Sequence, residues 1–171
     1  MTRIAPDFDL QDSTGEPVRL SNYAGKVIAL NFWATWCSPC KLDITWLNEL
    51  QRRNADRGFA VIGIAMDQEG WPVVEPWLRK FRVEYRVLLG NQHISELYGG
   101  VDVLPMIFLI DRSGGIADVH AGIINRRAFE ESMERLLSPP TACRRMAAPK
   151  SRTKSSDSCN GEFKDANRLS C

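Results

Sequence analysis

The sequence predicts an α/β domain built on a central mixed sheet flanked by helices, with a β-hairpin extension at its N-terminal end. Three observations carry this. Two near-continuous apolar runs, Val27 to Trp33 and Phe59 to Met66, have the composition of strands buried on both faces, as in the parallel part of a layered fold. Between them Cys40, Ile44, Leu47 and Leu50 recur at helical spacing, which supplies the crossover that two parallel strands need. Downstream, Met106 to Ile110 and Ile116 to His120 flank the turn signal Asp111-Arg112-Ser113-Gly114-Gly115 and read as a hairpin, so the sheet becomes mixed.

In chain order, Phe8 to Leu20 places apolar residues around Ser13-Thr14-Gly15 and predicts the first, short hairpin. Val27 to Trp33 is the central strand, and a helix carrying Trp46 beside its apolar stripe follows at once. Val74, Trp77, Leu78 and Phe81 predict a second helix in which Pro76 must sit in the first turn or kink the segment. Tyr85 to Leu89 is a short strand, and Ile94, Leu97 and Tyr98 mark a short helix stopped by Gly99-Gly100. Asn125 caps a last helix whose apolar face is Phe129, Met133, Leu136 and Leu137, ended by Pro139-Pro140.

These elements delimit one domain over residues 1–138, within a length and composition ordinary for a globule: 171 residues, 44% hydrophobic and 25% charged. Residues 139–171 differ in kind. They hold seven Lys/Arg against three Asp/Glu, with Met146, Phe163 and Leu169 as their large apolar residues, too few to offset the entropy of ordering, so a basic disordered tail is expected. The net charge of +1 suggests neither a nucleic-acid partner nor an anionic membrane surface. No apolar run reaches the roughly 18 to 20 residues that span a bilayer, and Met1 to Pro6 lacks the apolar core of a signal peptide, so the chain as given reads as soluble, without stable membrane insertion.

Of five cysteines, Cys143, Cys159 and Cys171 fall in the tail, which argues against a multi-disulfide framework. Cys37 and Cys40 stand where the central strand passes into its helix. A thiolate at Cys37 would meet the unpaired N–H groups and positive dipole end of that helix, which favour the anion and make Cys37 the nucleophile. Cys40, one turn inward, is within disulfide reach and can resolve a mixed disulfide. Pro39 fixes φ in the first helical turn and holds the pair close. A zinc site would need two further ligands, and His93 and His120 stand at unrelated spacing, as surface or cap residues. No metal and no cofactor is expected.

The segment Asn31-Phe32-Trp33-Ala34-Thr35-Trp36-Cys37-Ser38-Pro39-Cys40 resembles the active site of thioredoxin-fold proteins, in particular the TlpA-like thiol-disulfide oxidoreductases. Ala5-Pro6-Asp7-Phe8 and Leu104-Pro105-Met106-Ile107-Phe108-Leu109-Ile110-Asp111 are similar to further landmarks of that family, so the likeness covers roughly residues 4 to 138. The resemblance implies a thioredoxin-like fold and a protein-disulfide reductase with Cys37 and Cys40 catalytic. It assigns a cis bond before Pro105, substrate hydrogen bonds to the backbone of Leu104, and an apolar rim of Trp36 and Pro39, with Ser38 between, around Cys37. It further implies a monomer acting on a disulfide-containing protein or a small thiol, reset by an upstream electron donor. A periplasmic or cell-envelope home follows if an export signal was removed, a cytoplasmic one if the chain is complete as given.

Three positions depart from the pattern. Asn31 stands where thioredoxin itself has a buried acid, which leaves proton removal from Cys40 without an assigned base. Asp43 and Thr45 replace the Glu and Pro common after the motif, and Met106 replaces the usual Thr. Asp43 is explained by its helix N-terminal location alone. Two other readings of the pair are a Cu(I) metallochaperone, helped by Met106, and a peroxiredoxin-like peroxidase. The second lacks the Thr or Ser that peroxiredoxins place three residues before the reactive Cys, where this chain has Ala34.

Overall fold

Residues 3–139 are described by the computed structural model; the expected tail lies outside them from residue 140 onward. The first hairpin pairs β1 (Asp9–Gln11) with β2 (Pro17–Arg19), Leu10 opposite Val18 on the buried side. Its turn is organised by Asp12. The carboxylate accepts from Thr14 N at 2.9 Å, Thr14 Oγ1 at 2.7 Å and Glu16 N at 3.1 Å, while Gly15 takes φ +83°.

β3 (Val27–Trp33), β4 (Phe59–Ala65), β5 (Arg86–Leu89), β6 (Met106–Ile110) and β7 (Ile116–Ala121) form one sheet in the order β5-β4-β3-β6-β7. β3, β4 and β5 run parallel, while β6 pairs antiparallel with β3 and β7 antiparallel with β6. Every residue of β3 and β4 is buried, as their unbroken apolar runs require.

Alternation along β3 divides the core. Val27, Ala29 and Trp33 face α1 (Cys40–Asn54), α2 (Trp71–Phe81) and α4 (Arg126–Leu137), where Ile44, Leu47, Val74, Phe129 and Met133 pack. Ile28, Leu30 and Phe32 face the first hairpin and α3 (Gln92–Leu97). Trp33 stacks on Trp77 with ring centroids 4.3 Å apart, and Trp77 continues onto Phe81 at 4.6 Å. Gly63 makes room for this stack: a Cβ there would lie 2.9 Å from Trp33 Nε1 and 3.0 Å from Tyr85 Cε2.

Two expectations change in detail. α2 starts at Trp71, so Pro72 occupies its first turn and Pro76 lies inside the helix, where it cannot donate to the carbonyl one turn back. His120 is not a surface or cap residue: its ring packs 5.3 Å from that of Phe129, and Nε2 lies 3.2 Å from Asp118 Oδ2. β7 alternates half-buried and exposed residues, and His120 falls on the side that α4 covers. Asn125 caps α4 as expected, accepting from Ala128 N at 3.2 Å.

Asp12 also reaches β5 through Arg86, at 2.9 Å. The Thr14 hydroxyl, ahead of the backbone donors and Arg86, holds its carboxyl below the ordinary 3.8 in spite of burial. A depressed carboxyl stabilises the fold above its unfolded value and loses that contribution as pH falls through the folded value. Asp12→Ala is expected to cost on the order of 1–3 kcal/mol in urea unfolding near pH 7. The difference from wild type should shrink below about pH 4; a difference constant from pH 7 to pH 3 would contradict this role.

Candidate active site

β3 ends at Trp33 and α1 begins at Cys40, so the six-residue connecting loop lies at the C-terminal end of the central strand. Cys37 N donates to Ala34 O at 3.1 Å and closes a turn. Pro39 already has helical angles, φ −61° and ψ −32°, and Leu42 N donates to its carbonyl at 3.0 Å. Cys40 is the first residue of α1. Cys37 and Cys40 form a disulfide, with Cα atoms 5.5 Å apart. Both are 4% exposed, so burial does not distinguish them; their places before and inside the helix do.

The other expected residues gather at this end of the sheet. Trp36 is 69% exposed, and Ser38 and Pro39 are also exposed. Met106 pairs with Phe32, which puts Pro105 level with the exit of β3. The Leu104–Pro105 bond is cis. Among the described residues neither the N–H nor the C=O of Leu104 has a backbone partner.

Several neighbours escaped the sequence reading. Gly122 N donates to Pro105 O at 2.8 Å, bringing the loop before α4 beside the cis proline; there Ile124 is buried while Ile123 is 88% exposed. Leu42, 70% exposed on α1, is joined to that loop through Arg126, whose guanidinium donates to Leu42 O. Trp36, Leu42 and Ile123 thus stand out as large exposed apolar side chains around the cysteine end of the sheet. The one hint in the sequence was the apolar pair Ile123-Ile124 between a glycine and a helix cap.

Asp43 stands in the first turn of α1, as expected, but its helix N-terminal location is not the whole explanation of the acid. It is buried, and Arg126 Nη2 donates to Oδ1 at 3.3 Å. Arg126 lies 5.4 Å over the Trp46 ring, and Trp46 Nε1 donates to Glu130 at 2.7 Å, so α1 and α4 are joined by a chain of polar contacts. Burial pushes the Asp43 carboxyl above its ordinary range against the pull of Arg126. Asn31 is buried on the α1 side of β3, and among the described residues its Oδ1 has no hydrogen-bond partner. Burial, reinforced by the Asp43 charge and opposed by the Asn31 side chain, raises the nearby Tyr85 phenol. On the far side of the loop, Asp67 accepts hydrogen bonds from Thr35. Among the described residues no group of three or more His, Cys, Asp or Glu is placed to hold a metal ion.

The model of the AhpC/TSA family matches residues 1–119. The thiol-disulfide oxidoreductase ResA of Geobacillus thermodenitrificans is 31% identical over 131 residues, covering 76% of this chain and 74% of that protein. The thioredoxin-like protein YneN of Bacillus subtilis is 28% identical, covering 76% of each. Among solved structures, a thioredoxin-family thiol:disulfide interchange protein from Chlorobium tepidum superposes with a TM-score of 0.72 at 29% identity, covering 81% of this chain and 98% of that one.

A carboxyl raised on folding favours the folded state below its unfolded value and loses that contribution as pH rises through its folded value. Asp43→Asn removes this cost. The stability of the variant relative to wild type, followed by thermal melts, should therefore increase from pH 3 to pH 7; a relative stability that falls over that range would contradict the burial of Asp43 as its controlling feature.

Proposed function

The chain belongs to the AhpC/TSA family, and from this membership together with the geometry at Cys37 we propose the following reaction for its thioredoxin-like domain. The protein is a thiol-disulfide oxidoreductase. It works in the reducing direction on protein disulfides. The observation that carries this reading is the disulfide between Cys37, in the loop leaving the central strand, and Cys40, at the head of the following helix.

In the reduced protein the Cys37 thiolate is favoured by the positive dipole end of α1, which it directly precedes. It attacks one sulfur of the target disulfide, forming a mixed disulfide and releasing the first target thiolate. Cys40, on losing its proton, attacks Cys37 Sγ. The second target thiolate leaves, and the target has gained the two electrons that Cys37 and Cys40 gave up. The Cys37–Cys40 disulfide is the product form, returned to the dithiol by an upstream dithiol donor.

The free backbone groups of Leu104 support strand-like pairing with an extended target segment, and Pro105 holds them at the cysteine end of the sheet. Trp36, Ser38 and Pro39 present the rim that receives residues flanking the target cysteine. Leu42 and Ile123 extend it as apolar surface, which favours targets with uncharged side chains beside their disulfide.

Insulin reduction with dithiothreitol as electron source tests this reading. Wild type should turn over, Cys37→Ser should lose at least about 100-fold, and Cys40→Ser, reduced and freed of dithiothreitol before mixing with insulin, should accumulate a covalent complex with the target that added thiol releases. Full activity in Cys37→Ser would overturn the proposal. Turnover of hydrogen peroxide instead of insulin, or tight Cu(I) binding without insulin turnover, would replace it by a peroxidase or a copper carrier.

A further inference from the structure

A buried carboxylate is costly unless its lone pairs are used. Asp67, just past the end of β4, is 3% exposed, and among the described residues no cation pairs with it. Among the described residues the hydrogen bonds to its side chain come from Thr35 alone. Thr35 N donates to Oδ1 at 3.1 Å and to Oδ2 at 3.0 Å, and Thr35 Oγ1 donates to Oδ1. Thr35 lies two residues before Cys37, so this charge is spent on the loop that carries the sulfur.

The neighbouring backbone shows what is held. Met66 N donates to Trp33 O at 2.8 Å, extending the contact between β4 and β3 to the last residue of β3, and Gly70 N turns the chain back onto Asp67 O at 3.1 Å. Asp67 then grips the next stretch of the loop. With Thr35 drawn inward, Trp36 points out to solvent and Cys37 turns back into the protein beside Cys40.

We propose that Asp67 is a positioning residue of the reaction: by holding Thr35 it keeps Cys37 within reach of Cys40, and Trp36 presented to the target, while the Cys37–Cys40 bond is open. This rests on the oxidoreductase reading and adds a step-specific role to it. In the mixed disulfide Cys37 is bound to the target and no longer to Cys40, so the disulfide itself no longer restrains the loop. The Thr35–Asp67 contact restrains it then, and Cys40 finds Cys37 Sγ where attack needs it. The same restraint raises the effective concentration of one thiol at the other and stabilises the internal disulfide.

The test uses the full chain and four variants, Asp67→Ala, Asp67→Asn, Thr35→Val and Thr35→Ser, with kcat and KM for insulin and the equilibrium constant against glutathione measured for each. Asp67→Ala is expected to lower kcat/KM on the order of 10- to 100-fold. It should also shift the glutathione equilibrium toward the dithiol and lengthen the life of the mixed disulfide in rapid-quench samples. Asparagine can accept from Thr35 N and donate to Thr35 Oγ1, so Asp67→Asn should stay within about threefold of wild type, as should Thr35→Ser, which retains the donors. Thr35→Val loses the hydroxyl contact alone and should shift both readouts in the direction of Asp67→Ala by less; it carries the test if Asp67→Ala does not fold. Wild-type turnover and equilibrium in Asp67→Ala, or in Thr35→Val where that variant stands in, would overturn the proposal. So would an Asp67→Asn as impaired as Asp67→Ala, which would make charge the cause. A wild-type protein inactive on insulin would instead defeat the oxidoreductase reading.

Discussion

The double-sided burial of β3 is the constraint on which the rest depends. Its residues are held by β4 on one side and β6 on the other, and its side chains alternate between two cores. A slip by one residue would exchange the two faces, driving Trp33 away from Trp77 and Gly63 and into the layer that Phe32 occupies. The register is therefore specified by packing, and the point at which the chain leaves the sheet is specified with it. Everything at the active end is referred to that point: the loop with Cys37, the helix that Cys40 opens, and Leu104–Pro105 beside the exit.

Around this frame, at the cysteine end of the sheet, the protein buries two acids that a minimal fold would not need. Asp43 reaches across to Arg126 and with it ties the head of α1 to that of α4. Asp67 ties the cysteine loop to the end of β4. Each removes a carboxylate from water, which is a cost, and each contributes a contact that fixes the cysteine end of the molecule, the first between two helices and the second between the cysteine loop and the end of β4. The outer surface is different in kind. Trp36, Leu42 and Ile123 are left exposed where solvent contact gives an apolar side chain nothing, as expected of a surface that is covered intermittently.

Much of this was legible in the sequence because the signals are local. Unbroken apolar runs marked β3 and β4, turn chemistry around Gly15 marked the hairpin, and Asn125 marked the start of α4. The cis bond at Leu104–Pro105 followed from resemblance, since sequence physics alone favours an ordinary strand-entry proline there. What escaped depends on contacts distant along the chain. Asp67 meets Thr35 across 32 residues, and Arg126 meets Asp43 across 83. The helix N-terminal location alone sufficed to explain Asp43 because nothing near it in sequence announces Arg126. His120 looked like a surface residue until α4 was laid over β7. Ile123 is one of two adjacent isoleucines, and only docking of the loop decides which of them faces water.

Cys37 and Cys40 are equally buried when joined, so their division of labour rests on their places before and at the head of α1. The most direct measurement of that division is competitive alkylation of the reduced wild-type protein with less than one equivalent of iodoacetamide near pH 7, followed by peptide mapping. Label is expected on Cys37 with Cys40 nearly free of it, since Cys37 lies in the loop before the helix N-terminus and Cys40 is already the first residue of the helix. Equal labelling, or label mainly on Cys40, would contradict the assignment of Cys37 as the attacking thiol.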